Sequence, residues 1–471
     1  MRGSKYATAG RPADFSLPGG KAMKTDVLVI GGSAAGIVAA MVGKCCYSDK
    51  EFTVVRKQPA ALVPCGIPYI FGSLPSSDKD LIPDGIYDKA GIKLVVDEAT
   101  SIDLEKKVCR TAGGDEIEFD RLVIATGSTP YVPGWLPGTE LENVFTIPKD
   151  KAALDTIAAK LAGCDRVVTI GGGFIGVEVS DELHKRGKDV TIVELLPHIL
   201  GLAFDTEFAA HAEEILTSRG IKLKTGVGAK AIHGTAGKVT EVELQNGERI
   251  QADAVILAMG YRPNTALAAA AGLPLNEMGF IRVDEYMRTS HPDVFAVGDC
   301  AEKRDFVTRK PSRVMLASTA TSEARVAGSN LYKLSVVKTF SGTISIFSTA
   351  IGETAFGAAG LTEAAAKKEG FNVFTTSFTG VDKHPGTLPG AHPQTVKLII
   401  ARESGVILGG EVMGGASAGE LINIIGLAIE NRMTVNSLFT AQIGTHPLLT
   451  APPTAYPLIK AAEAALHEMR R

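Results

Sequence analysis

Val27-Leu28-Val29-Ile30-Gly31-Gly32-Ser33-Ala34-Ala35-Gly36 and, much later in the chain, Val167-Val168-Thr169-Ile170-Gly171-Gly172-Gly173-Phe174-Ile175-Gly176 decide the fold. Each is an apolar run that closes on a glycine-rich turn and opens into a helical pattern. A buried strand that delivers the chain to such a turn lets backbone approach a pyrophosphate. The helix beyond then supplies unpaired N–H groups and a partial positive charge. One glycine turn is a common accident. Two copies, each between a strand and a helix, predict two dinucleotide sites in one polypeptide.

Working outward, short apolar runs at 52–55, 122–125, 190–193, 254–258 and 294–297 read as buried strands. Their alternation with helical segments from residue 23 to about 331 is the pattern of an α/β protein with parallel sheets covered on both faces. Pro133-Gly134 and Pro137-Gly138 mark a turn-rich stretch between the two halves. After about residue 340 the texture changes. Runs 396–400 and 406–410 predict paired strands around Glu403-Ser404-Gly405, and 418–430 and 457–469 predict helices, a strand-plus-helix unit with no nucleotide signature.

Composition narrows the function classes. The 471 residues suffice for two to four domains, and 45% apolar with 21% charged residues is ordinary for a soluble globular protein. A formal charge of −3 gives no electrostatic case for nucleic acid or an anionic membrane. No apolar run is long enough to span a bilayer. Residues 1–22 are rich in Gly, Pro and Ser without the apolar stretch of a secretory signal, and read as a disordered tail or an added extension. The six cysteines lack zinc-ligand spacing and do not resemble a disulfide framework, so reduced thiols in the cytoplasm and no metal are expected. Adjacent Cys45 and Cys46 read as inert helix residues.

The second glycine turn has all three glycines, Gly171, Gly173 and Gly176, and the next strand ends in Glu194. A carboxylate there accepts both hydroxyls of an adenosine ribose and repels a 2′-phosphate, so NADH is expected in preference to NADPH. The first turn departs twice: Ser33 stands at the middle glycine, and Arg56 stands where the ribose-binding acid is expected. Either the ribose is held otherwise, or Arg56 stacks on the adenine or contacts a phosphate. Further landmarks are a strand ending in Thr126-Gly127, its echo at Gly260, and a strand ending in Gly298-Asp299, whose carboxylate can bond ribityl hydroxyls. Between the two turns lies Cys65, in Val63-Pro64-Cys65-Gly66-Ile67-Pro68-Tyr69.

This ordered set resembles the FAD-dependent pyridine nucleotide-disulfide oxidoreductases over residues 23–471. Within them it is most similar to the single-cysteine branch of coenzyme A disulfide reductases, NADH oxidases and peroxidases, and NADH-dependent persulfide reductases. The resemblance rests on Pro64-Cys65-Gly66-Ile67-Pro68-Tyr69, on Gly298-Asp299-Cys300-Ala301, and on Gly360-Leu361-Thr362-Glu363, which opens a segment like the family's dimerisation domain. It implies two Rossmann-like three-layer nucleotide-binding domains plus a C-terminal α+β dimerisation domain. The expected division is an FAD-binding domain in two parts, 23–148 and 281–335, an NAD-binding domain at 149–280, and the dimerisation domain at 336–471. FAD is expected on Gly31, Ser33, Ala34, Ala35 and Gly36 with Asp299, NADH on Gly171 to Gly176, and a homodimer.

Position 70, where two-cysteine relatives carry the second thiol, is Ile70. Cys65 is then expected to cycle through a mixed disulfide, a persulfide or a sulfenic acid, with a helix begun at 66–71 favouring its thiolate. Phe174 occupies the family's aromatic-gate position, next to Ile175, and Glu178 is a second residue for the nicotinamide site. The tyrosine pair of the coenzyme A disulfide reductases is missing: the corresponding stretches read Gly386-Thr387-Leu388-Pro389-Gly390 and Gly444-Thr445-His446-Pro447. His446-Pro447 resembles the His-Pro of the glutathione reductase branch, which makes His446 the candidate acid–base group, contributed by a partner subunit. The expected function is NADH-dependent reduction of a small disulfide, persulfide or polysulfide through Cys65. The rivals are an NADH oxidase or peroxidase with a cysteine sulfenic acid, and an electron-transfer reductase for a protein such as rubredoxin.

Overall fold

Three sheets organise the chain, two of them parallel and built on the glycine turns. The computed structural model describes residues 20–337 and 339–470. In the first sheet Ile92–Val96, Phe52–Arg56, Ala22–Ile30 and Glu116–Ile124 lie side by side in parallel, and Val294–Ala296 joins the far half of Glu116–Ile124. Val29 faces Val54 on one side and Val123 on the other, so the apolar runs are buried on both edges and faces. The near half of Glu116–Ile124 turns to antiparallel pairing with Val108–Thr111, then Ala99–Asp103. Helices Ala34–Cys46 and Ala317–Ser329 cover this sheet.

The second sheet repeats the plan with Val144–Thr146, Ala254–Leu257, Arg166–Ile170, Asp189–Val193 and Lys222–Lys224, all parallel. A two-stranded strap, Ser128–Pro130 against Tyr261–Pro263, ties the two units together. Val144–Thr146 already belongs to the second sheet ahead of residue 149, and Ala268 and Leu273 already pack in the first core ahead of residue 281. The strand that opens the first sheet begins at Ala22, paired with Glu116, so the expected tail gives way to structure before residue 23. Residues 1–19 of that tail lie outside the described residues.

The third sheet is antiparallel, in the order Phe347–Ile351, Thr354–Gly360, Ile407–Gly414, Pro393–Ala401, Val373–Val381. The helices expected at Ala418–Glu430 and Pro457–Met469 form over those residues and bury Leu421, Ile425, Leu458 and Ala462 against it. Ile351, Phe356 and Ala358 of this unit share a core with the second unit and with Leu62, Ile67, Ile70 and Phe71 of the Cys65 loop. No helix among the described residues is long and apolar enough to cross a membrane.

A buried charge cluster joins the third sheet to the second unit. Lys397, 5% exposed at its side chain, reaches Asp205 at 2.9 Å, Glu207 at 2.5 Å and Glu363 at 3.2 Å. Directly opposite Lys397 on the neighbouring strand, Glu411 accepts from the Asp205 amide at 2.7 Å, and its other oxygen has no partner. Burial first, then Asp205, pushes Glu411 from 4.5 up to about 8, against the pull of Lys397. Between those values the native state holds a proton that the unfolded chain has released. Its contribution to stability therefore falls as pH rises from about 5 to 8. Urea midpoints measured across that window should fall less steeply for Glu411→Gln than for the wild type; parallel slopes would contradict this assignment.

Candidate active site

Both glycine turns open into one cavity of about 1260 Å³, beyond the usual range of about 300–1,000 Å³ for a single-ligand pocket. The turns are built alike. Gly31 donates to Val55 O and the Ala125 amide to Ile30 O; Gly171 donates to Val193 O and the Ala258 amide to Ile170 O. Gly31 and Gly171 have φ +118° and +110°, which side-chain-bearing residues rarely adopt. At Gly36 and Gly176 a Cβ would overlap the carbonyl of Gly31 or Gly171, so these two do not line the cavity; they let the helix sit on its turn. Ser33 and Gly173 are extended N-caps without a side-chain cap bond, which leaves the first-turn amides of both helices for a ligand.

Ser33, Ala34, Ala35 and Pro64 line the first end of the cavity with Thr126, Gly127 and Gly298, while Phe174, Ile175, Glu194 and Gly260 line the second. A Cβ at Gly127, Gly173 or Gly260 would meet no atom within 4 Å, so these glycines face the open space a ligand would fill. Glu194 is anchored at the rim by the amides of Gly172 at 2.6 Å and Leu196 at 2.8 Å. Arg56 lines the cavity but is 3% exposed, and its guanidinium is engaged elsewhere: Asp84 takes it bidentately at 2.6 and 2.8 Å, with Gln58 O and Pro59 O completing the set. The methylenes pack under Gly32. Arg56 thus braces the turn with its stem, and four of its five N–H donors are engaged inside the protein.

Asp299 meets two groups that no local motif signals. Lys149 Nζ and Ser128 Oγ both donate to its Oδ2 at 2.7 Å. Burial opposes ionisation, yet Lys149 and Ser128 together hold Asp299 below the usual carboxylate range. Lys149 also stands 5.2 Å from the Tyr261 ring centre.

Cys65 lies in the same cavity, on the loop between the strand Ala61–Leu62 and the turn Ile67–Phe71. That turn is a five-residue 3₁₀ segment rather than the expected helix start. The surroundings of the thiol also run against the expected stabilisation of its thiolate. Burial first, then Glu178, with Asp80 and Asp299, pushes the thiol up, and Lys149 opposes them. The thiol is accessible from the cavity yet closely surrounded, which is why burial leads. Asp80, 4% exposed, packs so near Gly66 that a Cβ there would overlap its carboxylate, and burial pushes it up to about 6. Glu178 accepts from Thr349 Oγ1 at 2.7 Å, and burial pushes it up to about 7. Phe174 packs edge-on against Phe347, 4.4 Å between ring centres. His446 is exposed on a loop of the third unit and does not line the cavity of its own chain; its amide donates to Thr450 Oγ1 and its Nδ1 accepts from Leu448.

Two dinucleotide cradles opening on a shared space with one thiol define an oxidoreductase. The pyridine nucleotide-disulphide oxidoreductase family model matches residues 25–324, and the dimerisation domain of that family matches residues 346–456. The chain belongs to this family, whose cofactors are FAD and a nicotinamide dinucleotide. It is 32% identical over 443 residues to an NAD(P)H coenzyme A polysulfide/persulfide reductase of Pyrococcus horikoshii, covering 93% of this chain and 96% of that protein. It is 31% identical over 459 residues to an NADH oxidase of Methanocaldococcus jannaschii, covering 94% and 99%. Among solved structures it superposes on an NAD-dependent persulfide reductase from A. fulgidus with a TM-score of 0.87 at 30% identity, covering 95% of this chain and 84% of that one.

The residues present fit both cofactors: glycine cradles, free first-turn amides and a carboxylate at each end. Substitution separates the two kinds of glycine. Gly36→Ala should displace the first helix from its turn and cost the protein its flavin, read as lost absorbance near 450 nm after gel filtration. Gly173→Ala should keep fold and flavin while raising the KM for nicotinamide dinucleotide by about tenfold or more. An unchanged KM would show that the second turn does not hold that ligand.

Proposed function

We propose that this chain uses NADH to reduce a small disulfide, persulfide or polysulfide through Cys65. The observation that carries the reading is the placement of Cys65 in the cavity that both glycine turns line. Bound FAD, on the first turn with Asp299, would supply a two-electron relay between nicotinamide and sulfur. The protein's part is with the thiol. As thiolate, Cys65 attacks one sulfur of R–S–S–R′, forming Cys65–S–S–R and releasing R′S⁻, which takes a proton. Two electrons then break the new S–S bond, returning the Cys65 thiolate and RS⁻. Lys149 is the nearby cation that favours the thiolate, and the mobile proton is held at Glu178, whose ionisation lies near neutrality.

NADH is the preferred donor on this reading: Glu194, fixed by two amides and lining the second end of the cavity, supports it, since a carboxylate there disfavours a 2′-phosphate. We place His446 on a second copy of the chain, brought to the cavity mouth through the dimerisation domain, as the acid that protonates the leaving thiolate. The P. horikoshii relative's name supports sulfur as acceptor, and the M. jannaschii relative's name favours a second reading, with oxygen accepting the electrons through a Cys65 sulfenic acid.

Rates with coenzyme A disulfide, coenzyme A persulfide, polysulfide, peroxide and oxygen, for wild type and Cys65→Ser, test the assignment. Sulfur reduction should fall by about 10³-fold or more in Cys65→Ser while NADH still bleaches the flavin anaerobically. His446→Ala should lower sulfur turnover by about 10²-fold without slowing flavin reduction. Oxygen as the fastest acceptor would favour the oxidase reading, and a fully active Cys65→Ser would reject both.

A further inference from the structure

The first strand of the dimerisation domain, Phe347–Ile351, lies along the helix that opens the second glycine turn, Phe174–Lys185. Two residues along a strand advance about 6.6 Å and four along a helix about 6 Å, so alternate strand residues can match one helix face. That match is present here: Phe347 meets Phe174, and two residues on, Thr349 meets Glu178, four residues on. Phe347 and Ser348 also line the cavity, and Thr349 is 6% exposed. Its hydroxyl donates to Glu178 Oε1 at 2.7 Å, a charge-assisted bond from a residue 171 positions away.

We propose that Thr349 is a positioning residue: from the dimerisation domain it holds the Glu178 carboxylate in the wall beside Cys65 and so governs how readily that thiol ionises. The hydrogen bond favours the ionised carboxylate, against burial and the neighbouring Glu182. An ionised Glu178 in turn disfavours the thiolate. Other titratable groups act nearby: Lys149, Asp299 and Tyr69 line the cavity with Cys65, Asp80 lies buried behind the Cys65 loop, and Asp181 and Glu182 are buried on the helix and bear on Tyr69. Of all these groups, Thr349 reaches Glu178 from the dimerisation domain, so that domain acts on the chemistry of its own chain as well as on assembly.

The proposal rests on Cys65 as the reactive thiol, but its test reads ionisation rather than turnover. Failure on sulfur substrates would sink the proposed function and leave this inference standing. The measurement is the pH dependence of iodoacetamide alkylation of the flavin-loaded enzyme, followed on the Cys65 peptide by mass spectrometry so that exposed Cys45 and Cys46 do not contribute. Thr349→Val should keep Glu178 protonated to higher pH, so that Cys65 is alkylated about threefold faster between about pH 7 and 8, with the rates converging above about pH 9 where Glu178 is ionised in both proteins. Thr349→Ser should restore the wild-type profile. Glu178→Gln should speed alkylation at about pH 7–8 at least as much and also lower the Cys65 midpoint, and adding Thr349→Val to it should change nothing more. A wild-type alkylation rate at about pH 7–8 in Thr349→Val overturns the proposal, as does a further change in the double variant. A wild-type midpoint in Glu178→Gln overturns it even if Thr349→Val does not fold.

Discussion

The loop that carries Cys65 is fastened to the helix that opens the second dinucleotide turn. The Glu182 carboxylate accepts from the Ser73 amide at 2.5 Å and from Lys185 at 2.5 Å, and Gly72 lies so close that a Cβ would run into Glu182. Ile67, Ile70 and Phe71 complete the joint by sharing a core with Val177 and Leu183 of that helix. One rigid element therefore positions three things together: the first-turn amides at its N-terminus, Phe174 and Glu178 in the cavity wall, and the thiol loop. Function depends on this joint, because a sulfur that drifted relative to the second turn would no longer share a space with both cradles.

The two cradles show how one device serves different ends. Their backbone hydrogen bonds match almost group for group, since both must bring a strand into a helix through a tight, left-handed glycine. They differ at the end of the following strand. Glu194 is held at the rim by two amides with its charge toward the ligand space. Arg56 turns away and closes a bidentate pair with Asp84, which Arg56 holds below its ordinary range against a small cost of burial. The acid at the first end of the cavity is instead Asp299, on the short turn Gly298–Cys300 that follows a strand returning much later in the chain.

That contrast also marks what was legible in the sequence. Strands, glycine turns and the helices 418–430 and 457–469 have local causes, in periodicity and in the backbone freedom of glycine, and the structure forms them there. Cys65 and Asp299 stand in runs whose context is local too. The polar groups around Cys65, Asp299 and Glu178 have no such signature. Lys149, Ser128, Asp80 and Thr349 reach the site from separate segments, and only folding brings them there. For the same reason a helix start, visible in one segment, says little of how readily Cys65 ionises: burial in the folded cavity opposes the thiolate first, and the carboxylates that add to this come from three segments. Arg56 was ambiguous because its partner, Asp84, lies 28 residues away beyond two turns.

In the proposed reaction, electrons that enter at the second turn leave through one sulfur atom. The most direct measurement starts from enzyme whose Cys65 carries a persulfide or a mixed disulfide with coenzyme A, treated anaerobically with NADH and analysed by intact-peptide mass spectrometry. The adduct should disappear with one NADH oxidised per adduct removed, leaving a free Cys65 thiol. An adduct that persists after the flavin has been fully reduced would contradict it.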